Sequence, residues 1–138
     1  MTPMDRVRVQ ETFEAVKPIA DQAASLFYGR LFEIAPEVKP LFKGNMEDQG
    51  RKLMKTLAIA VAGLNDLEAV VPTLEKLGRG HVAYGVQPEH YAKVGEALLW
   101  TLGQGLGDAF TEEVENSWKQ VYQILADTMK AAAYSEAV

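Results

Sequence analysis

Length, composition and charge exclude several classes of protein at once. The chain has 138 residues, of which 48% are apolar and 24% charged, a balance typical of a folded globular domain rather than a disordered chain. Its formal charge of −5 argues against nucleic acid as a partner, because phosphate-binding surfaces need an excess of Lys and Arg. The sequence contains no cysteine, which excludes disulfides, thiolate catalysis and cysteine-ligated metal clusters.

The first three predicted helices are separated by prolines. One begins at Thr2-Pro3, and the next runs from Pro18 to a tight corner at Pro36 and Pro40. A third helix is predicted from about Met46 to Leu64. The residues that share a face in these helices are Val9, Phe13 and Val16; Ala20, Ala24, Phe27, Tyr28 and Leu31; and Gln49, Leu53, Leu57 and Ala60.

Three more helices are predicted in the second half of the chain. Pro72 begins a short helix that contains His81 and is closed by Gly80 and Gly85. Pro88 begins the fifth helix, which the sequence GQGLGD breaks, and Thr111 caps the sixth. The residues that share a face here are Leu74, Leu77 and His81; Tyr91, Val94, Leu98 and Leu102; and Val114, Trp118, Val121, Leu125 and Met129.

The helical signals predict an all-α protein. Strand-like alternation of apolar and polar residues is not sustained anywhere in the sequence, and we expect one domain over residues 1–138, layered around a single core. The sequence begins without the apolar segment of a signal peptide, and its longest apolar run, Leu57 to Leu64, is too short to cross a bilayer. We therefore expect a soluble, cytoplasmic protein.

Common catalytic motifs are missing from the sequence. Gly103, Gly105 and Gly107 look like a glycine-rich loop, but no predicted strand precedes them, so a break in a helix is the better interpretation. The chain also lacks a phosphate-cradling loop, the HExxH zinc motif and the GxSxG nucleophile motif. Motifs alone therefore indicate no enzymatic reaction.

The sequence has only two histidines, His81 and His90. His90 lies in the polar first turn of a predicted helix, so we expect its side chain to be solvated. His81 instead lies on the apolar face of a short helix, and Gly78 and Gly80 would leave room for something flat or large to approach it. Such a histidine is either a hydrogen-bonded core residue or a ligand. A single protein ligand holds a metal firmly when a macrocycle supplies the other donors, as haem does in proteins with a proximal histidine.

Two polar residues on apolar faces are candidates for the opposite wall of such a pocket. Gln49 begins the apolar face of the third helix, and Tyr28 stands among the phenylalanines of the second. Taken separately, each is interpreted as a core polar group with a satisfied hydrogen bond, because burying an unpaired amide or hydroxyl is costly. Together with His81 they form a pocket pattern of one ligand facing two hydrogen-bond donors. Gly50, beside Gln49, is predicted to let the third helix cross close to Ala24 of the second.

Three segments of the chain carry a family resemblance: LFYGRLFEIAPEVKPLF, DQGRKLM and VVPTLEKLGRGHVAYGVQPEHYAKVGEALL. They resemble the single-domain bacterial globins and the haem domain of flavohaemoglobins, and the similarity extends from roughly Phe13 to Met129. This resemblance implies the globin fold, with six to eight helices enclosing one haem b.

The resemblance also implies roles for individual residues. His81 matches the proximal iron ligand, Tyr28 and Gln49 match the distal pair that meets the gas, and Leu53 matches the apolar residue one turn beyond. The residues that match haem-contacting positions are Phe42, Val86, Tyr91, Val94 and Leu98. Lys52, Arg51 and Arg79 are candidates by position for binding the propionates, with ordinary solvated charge as the alternative.

One departure from the family pattern concerns the proximal side. Flavohaemoglobins pair the proximal histidine with the tyrosine matched by Tyr91 and with a glutamate near the end of the last helix. Counting from Trp118 gives Ser135 at that position, with Glu136 one residue later. Whether Glu136 supports the histidine is left open by the sequence.

The residues and the resemblance together indicate a gas-binding haem protein. We expect oxygen binding or transport at a pentacoordinate iron, with NO and CO as further ligands and with Tyr28 and Gln49 making oxygen binding tight. A hydrogen bond to a charged acceptor is worth roughly 1.5–3 kcal/mol, so its loss would speed oxygen release roughly ten- to a hundredfold.

Two alternatives to simple gas binding stay open. One is nitric oxide dioxygenation, a detoxification reaction that would need an external reductase. The other is a haem-free helical module for sensing or for protein interaction. We expect a monomer or weak homodimer, with no nucleic-acid partner and no integral membrane segment.

Overall fold

The computed structural model describes residues 3–42, 45–83 and 89–134; the side chains of residues 67, 80–83 and 132–134 lie outside that description. Within these ranges the chain forms six α-helices and no β-strand, which confirms the all-α prediction. The helices are α1 (Pro3–Val16), α2 (Ala20–Ile34), α3 (Met46–Ala62), α4 (Leu67–Ala83), α5 (His90–Leu106) and α6 (Glu112–Tyr134). Each of them is too short or too polar to cross a membrane.

Polar caps and 3₁₀ turns set the boundaries of the helices. The side chain of Asn45 caps α3, accepting hydrogen bonds from the backbone N–H of Glu47 at 2.7 Å and of Asp48 at 3.3 Å. Thr111 caps α6 as predicted, since its hydroxyl oxygen accepts from the Val114 N–H at 3.3 Å. Between α2 and α3, the two-proline corner forms a 3₁₀ helix over Pro36–Leu41.

The prediction that Pro72 begins the helix containing His81 was wrong, because α4 begins at Leu67 and Pro72 lies inside it. A proline in a helix removes one backbone hydrogen bond, here the one to the Glu68 carbonyl, but its φ angle is compatible with the helix. Pro72 and Glu68 are both exposed, so water can satisfy the carbonyl that is left.

Two other predicted boundaries were also displaced. The glycine-rich stretch ends α5 as predicted, but late within the stretch: Gly103 and Gly105 are helical, α5 ends at Leu106, and Gly107 caps it with a φ of 56° that favours glycine. The third helix ends at Ala62 rather than Leu64, with a 3₁₀ turn over Gly63–Asn65.

Helix pairing builds one hydrophobic core over the described residues. The most extensive contacts run between α4 and α6, α2 and α5, and α1 and α6, while α3 lies on α2. The largest fully buried side chains are Trp118, Leu31, Leu64, Val9 and Val121. Over the described residues, α3 and α4 follow each other in the chain yet hardly touch. Each is held by a different neighbour, α3 by α2 and α4 by α6.

Two glycines permit the closest helix approaches. A Cβ on Gly50 would lie 2.9 Å from the Cβ of Ala24, which confirms that α3 crosses close to α2 there. A Cβ on Gly78 would overlap the backbone carbonyl of Met129 in α6. The expectation that Gly78 makes room for a flat group was therefore wrong, because helix α6 fills that space.

Candidate functional site

Tyr28 is the centre of the candidate distal site. It lies on the buried face of α2, is 9% exposed, and its hydroxyl donates a hydrogen bond to the backbone carbonyl of Gln49 at 3.3 Å. The structure therefore brings the two predicted distal residues together, through the backbone of Gln49 rather than its side chain. An O–H···O hydrogen bond is usually 2.7–2.8 Å long, so this one is weak.

Three phenylalanines surround the Tyr28 ring and form, with it, the aromatic cluster. The ring centroid of Tyr28 lies 5.0 Å from that of Phe27, 6.1 Å from Phe32 and 5.2 Å from Phe42. Phe32 and Phe42 also contact each other edge to face at 5.6 Å. Phe42, which immediately follows the 3₁₀ corner, is thus brought against Tyr28, and the cluster keeps water from the hydroxyl.

Burial in this cluster alters the acidity of Tyr28. Desolvation disfavours the charged phenolate and raises the pKa of Tyr28 from 10.0 to about 12. At neutral pH the side chain is therefore a hydroxyl with a proton to donate. A hydrogen-bond donor in an apolar setting is the group that a negatively polarised ligand needs.

Gln49 and Leu53 lie one turn apart on α3, and both are half-buried. Among the residues that the structure describes, the Gln49 side-chain amide has no hydrogen-bond partner. The contact of neighbouring Gly50 with Ala24 fixes this part of α3 against α2. The amide is thus a second donor, on the residue whose backbone carbonyl Tyr28 contacts, and no described residue engages it.

Three predicted haem-lining residues lie together on α5. Tyr91 and Leu98 are buried, with 6% and 7% exposure, and Val94 between them is half-buried. The Tyr122 hydroxyl of α6 donates to the Tyr91 carbonyl at 2.6 Å, and the Lys130 ammonium lies 5.9 Å from the Tyr91 ring centroid. These contacts tie the first turn of α5 to α6.

Sequence reasoning missed Tyr122 and the glycine that accommodates it. A Cβ on Gly95 would lie 2.8 Å from Cε2 of Tyr122, so only glycine leaves room for the ring. Burial, and then the charge of Tyr91, raises the pKa of Tyr122 well above its usual value. An isolated glycine within the fifth helix was the signal that something packs closely against it.

The proximal residues are only partly placed. His81 lies in the last turn of α4, but its side chain is outside the described part of the structure. Val86, Ser135 and Glu136 lie outside the described residues altogether. The proximal prediction for His81 therefore stays a prediction.

The three cations considered for the propionates are all exposed. Arg51 pairs with acids of its own helix, Glu47 at 3.7 Å and Asp48 at 3.5 Å. Lys52 and Arg79 lie on different helices, α3 and α4, and the structure does not bring them together with Tyr28. Their predicted role is neither supported nor contradicted by this geometry.

The described residues fit a haem. Over the described residues, the helix that carries Gln49 and Leu53 makes few close contacts with the helix that carries His81. Several apolar side chains pack on the core but are only partly buried, namely Phe32, Leu41, Phe42, Leu53, Leu57 and Val94. Incomplete burial of so much apolar surface is expected where a flat apolar group would cover it.

Comparison with protein families and curated proteins identifies related sequences. The Globin family matches residues 25–129. A flavohemoprotein from Bordetella parapertussis is 32% identical over 133 residues, which cover 94% of this chain and 33% of the relative. A flavohemoprotein from Bacillus subtilis is 29% identical over 124 residues, covering 86% and 31%. The chain spans about a third of the length of these relatives.

Solved structures share the fold over nearly the whole chain. An engineered carbene transferase from Rhodothermus marinus, described as a candidate nitric oxide dioxygenase, has a TM-score of 0.86 at 26% identity, covering 99% of this chain and 94% of that one. A bacterial globin from Campylobacter jejuni has a TM-score of 0.85 at 24% identity and covers 97% of both chains. The second similarity shows the fold alone.

The helix arrangement, with the aromatic cluster around Tyr28, defines a protein of the globin class. The family match extends over most of the chain and agrees with this fold. The chain belongs to the globin family. Membership of that family implies that it binds haem.

Proposed function

We propose that this globin reversibly binds dioxygen, and also NO and CO, at the iron of a haem b held by His81, with Tyr28 and Gln49 donating hydrogen bonds to the gas. The observation that carries the proposal is the Tyr28 hydroxyl, protonated at neutral pH and placed beside Gln49 within an apolar cluster. A bound haem supplies a ferrous iron that takes up the gas and that a reductase returns to the ferrous state after any conversion of NO to nitrate.

Tyr28 would exchange one acceptor for another when the gas binds. Its 3.3 Å bond to the Gln49 carbonyl is long, so little is lost when the hydroxyl turns away. A neutral hydrogen bond contributes about 0.5–1.5 kcal/mol, against about 1.5–3 kcal/mol for one to a charged acceptor. The net gain is thus about 1–2 kcal/mol, which corresponds to about a 5- to 30-fold slower release.

The other residues would shape the space around the gas. The Gln49 amide, which has no partner among the described residues, adds a second donor, and Leu53, one turn further along α3, keeps the position next to it apolar. Phe42, Val86, Tyr91, Val94 and Leu98 would line the haem. Lys52 and Arg79, both exposed, would bind the propionates at the edge.

Nitric oxide dioxygenation is the second candidate function. It is favoured by the similarity to the Rhodothermus marinus protein, which is 26% identical to this chain. The match covers 94% of that structure. In a haem protein with two hydrogen-bond donors to dioxygen, those hydrogen bonds would already polarise the dioxygen when NO arrives. Sustained turnover would require an external reductase as partner, since each nitrate formed consumes one electron that the described residues have no group to supply.

The proposal is tested by replacing each histidine in turn. We expect His81→Ala to lose the Soret band and to take up hemin poorly, whereas His90→Ala, at the partly exposed start of α5, keeps both. Equal pigment in the two variants would overturn the assignment of His81. A wild-type protein that is colourless and rejects hemin would support the alternative function, a haem-free interaction module. Mixing the oxygenated protein with NO, with and without a reductase, separates a single turnover from catalysis.

A further inference from the structure

An open groove lies on the surface between α1 and α3. Its volume is ≈ 310 Å³, which is within the range of small-molecule sites, and its lining includes Phe13, Ala58, Val61 and Ala62. The Gln10 side-chain amide, also part of the lining, donates a hydrogen bond to the Val61 carbonyl at 3.1 Å and so ties the two helices together. Ala58 and Ala62 are one turn apart on α3, and their short side chains leave open the space that larger ones would fill. The groove is thus a defined space with apolar walls.

Charged side chains border these apolar walls. Glu11 and Glu14 of α1 are acidic, and Lys17, the one base among the described residues of the lining, directly follows that helix. Lys17 pairs with Glu14 at 2.7 Å, whereas Glu11 has no ion pair with any described residue. Two acids and one base leave the lining with one net negative charge. The groove therefore favours a positively charged ligand over an anion.

The Lys17 ammonium marks where a cation is stabilised in this groove. It lies 5.8 Å from the centroid of the Phe13 ring, within reach of a cation–π interaction, and 2.7 Å from a carboxylate oxygen of Glu14. An aromatic ring and a carboxylate are groups that recognise an ammonium ion. The side chains of Lys17 and Glu14 are 49% and 68% exposed, so their ion pair contributes little stability and is easily broken. A side chain of the protein itself thus occupies a cation site that another ammonium ion could take.

We propose that the α1–α3 groove binds a small apolar amine, with its hydrocarbon part against Phe13 and Ala58 and its ammonium group at Glu14. A primary amine carries a positive charge at neutral pH, as the lysine side chain does. The bound amine takes the place of the Lys17 ammonium, and Glu11 supplies a second carboxylate. Burial of the hydrocarbon part favours this exchange. The proposal is independent of haem and of gas binding.

Three probes of similar shape and different charge test the site. At neutral pH phenethylamine is a cation, 2-phenylethanol is uncharged and phenylacetate is an anion. Each is titrated into the 138-residue chain, saturated with carbon monoxide so that the amine finds no open position on an iron, and alanine methyl signals are followed by NMR. We expect saturable shifts at Ala58 and Ala62 but not at the exposed Ala15, which lies outside the lining. Phenethylamine should bind several-fold more tightly than 2-phenylethanol, and phenylacetate should bind most weakly. No saturable shift, or equal affinity for the three probes, would overturn the proposal.

Two variants at the rim should change the affinity for phenethylamine in opposite directions. Lys17→Met removes the competing ammonium, so we expect several-fold tighter binding. Glu14→Gln removes the carboxylate, so we expect several-fold weaker binding. Lys119→Met and Glu115→Gln remove the same charges from another exposed ion pair, at 3.1 Å on α6, and control for net charge. Unchanged affinity in the two rim variants, or equal changes in their controls, would overturn the proposal.

Ala58→Leu tests whether the amine occupies the groove itself. We expect the longer side chain to fill the groove and to weaken phenethylamine binding several-fold. Ala15→Leu, the same change at an exposed position of α1 outside the lining, should leave the affinity unaltered. Thermal unfolding checks that both variants fold, and the rim variants, which change exposed side chains, test the proposal even if Ala58→Leu does not. Undiminished binding in folded Ala58→Leu would place the amine elsewhere and overturn the proposal.

Discussion

The Tyr28 hydroxyl and the Gln49 carbonyl form a hydrogen bond of 3.3 Å that links α2 to α3 at the candidate distal site. Because the bond is long, it holds the hydroxyl in place without strongly competing for its proton. The hydrogen bond joins the two distal residues directly.

Tyr28→Phe removes that donor and keeps the ring of the aromatic cluster. We expect oxygen to dissociate about 5- to 30-fold faster, since about 1–2 kcal/mol of hydrogen bonding is lost, and carbon monoxide to be less affected because it carries less charge. Stopped-flow displacement measures both rates. Phe32→Leu, a change elsewhere in the cluster, is the control for altered packing. An oxygen rate equal to wild type in Tyr28→Phe would show that the hydroxyl does not reach the gas.

The raised pKa of Tyr28 predicts how stability depends on alkaline pH. With a pKa of about 12 when folded and 10.0 when exposed, the unfolded chain loses this proton first as the pH rises. Stability from this group is therefore complete below pH 10 and is lost progressively up to about pH 12. Two pKa units correspond to about 3 kcal/mol at most.

Urea unfolding at a series of pH values measures this effect. We expect the free energy of unfolding to fall between pH 10 and 12, and to fall less steeply in Tyr28→Phe. Oxygen release, by contrast, should be constant from pH 6 to 9, because the donor keeps its proton throughout. Identical alkaline slopes in the two proteins would contradict the assigned cause.

Local sequence patterns predicted much of the fold. Stripes such as Val114, Trp118 and Val121 have the period of a helix, and Thr111 has the side chain of a cap, so both could be recognised without tertiary structure. The predicted helix boundaries were wrong where tertiary packing determines how far a helix extends. Pro72 and Gly103 normally end helices, yet the contacts of α4 with α6 and of α5 with α2 carry each helix past them.

The sequence also predicted part of the candidate site. Tyr28 and Gln49 could be selected because each is a polar residue on an apolar face, and the structure brings them together. Outside the site, by contrast, neither spacing nor polarity indicated that Asp5 accepts a hydrogen bond from the Ser117 hydroxyl at 2.7 Å. The two residues lie at opposite ends of the chain, and only the packing of α1 on α6 makes them neighbours.

Gly50 and Gly29 give a matched pair of substitutions. Gly50→Ala puts a methyl 2.9 Å from Ala24, so we expect overpacking to cost about 1–3 kcal/mol and to move Gln49. Gly29→Ala, in the middle of α2, meets nothing within 4 Å, so better helix propensity should add about 0.5–1 kcal/mol. Thermal unfolding compares the stabilities of the two variants with that of the wild type. We expect changes of opposite sign, and a Gly50→Ala protein as stable as wild type would mean that α3 moves freely over α2.

Tyr122→Phe tests the link between α6 and the first turn of α5. The variant loses the 2.6 Å bond to the Tyr91 carbonyl while its ring still fills the space over Gly95, so we expect a loss of about 0.5–1.5 kcal/mol in urea unfolding. The pKa of Tyr122 is also raised in the folded protein. The free energy of unfolding of the variant should therefore fall less at alkaline pH than that of the wild type.

Gly95→Ala is the companion change, because it pushes the Tyr122 ring away without removing its hydroxyl. If the ring and the bond act together, the double variant should be less destabilised than the sum of the two single variants, since a displaced ring has already lost its bond. Strict additivity would mean that the hydroxyl keeps its acceptor when the ring moves. In the haem-bound protein, the spectrum of the deoxy form should shift in both single variants, because each moves Tyr91 relative to α6. A spectrum unchanged in both would confine this link to stability.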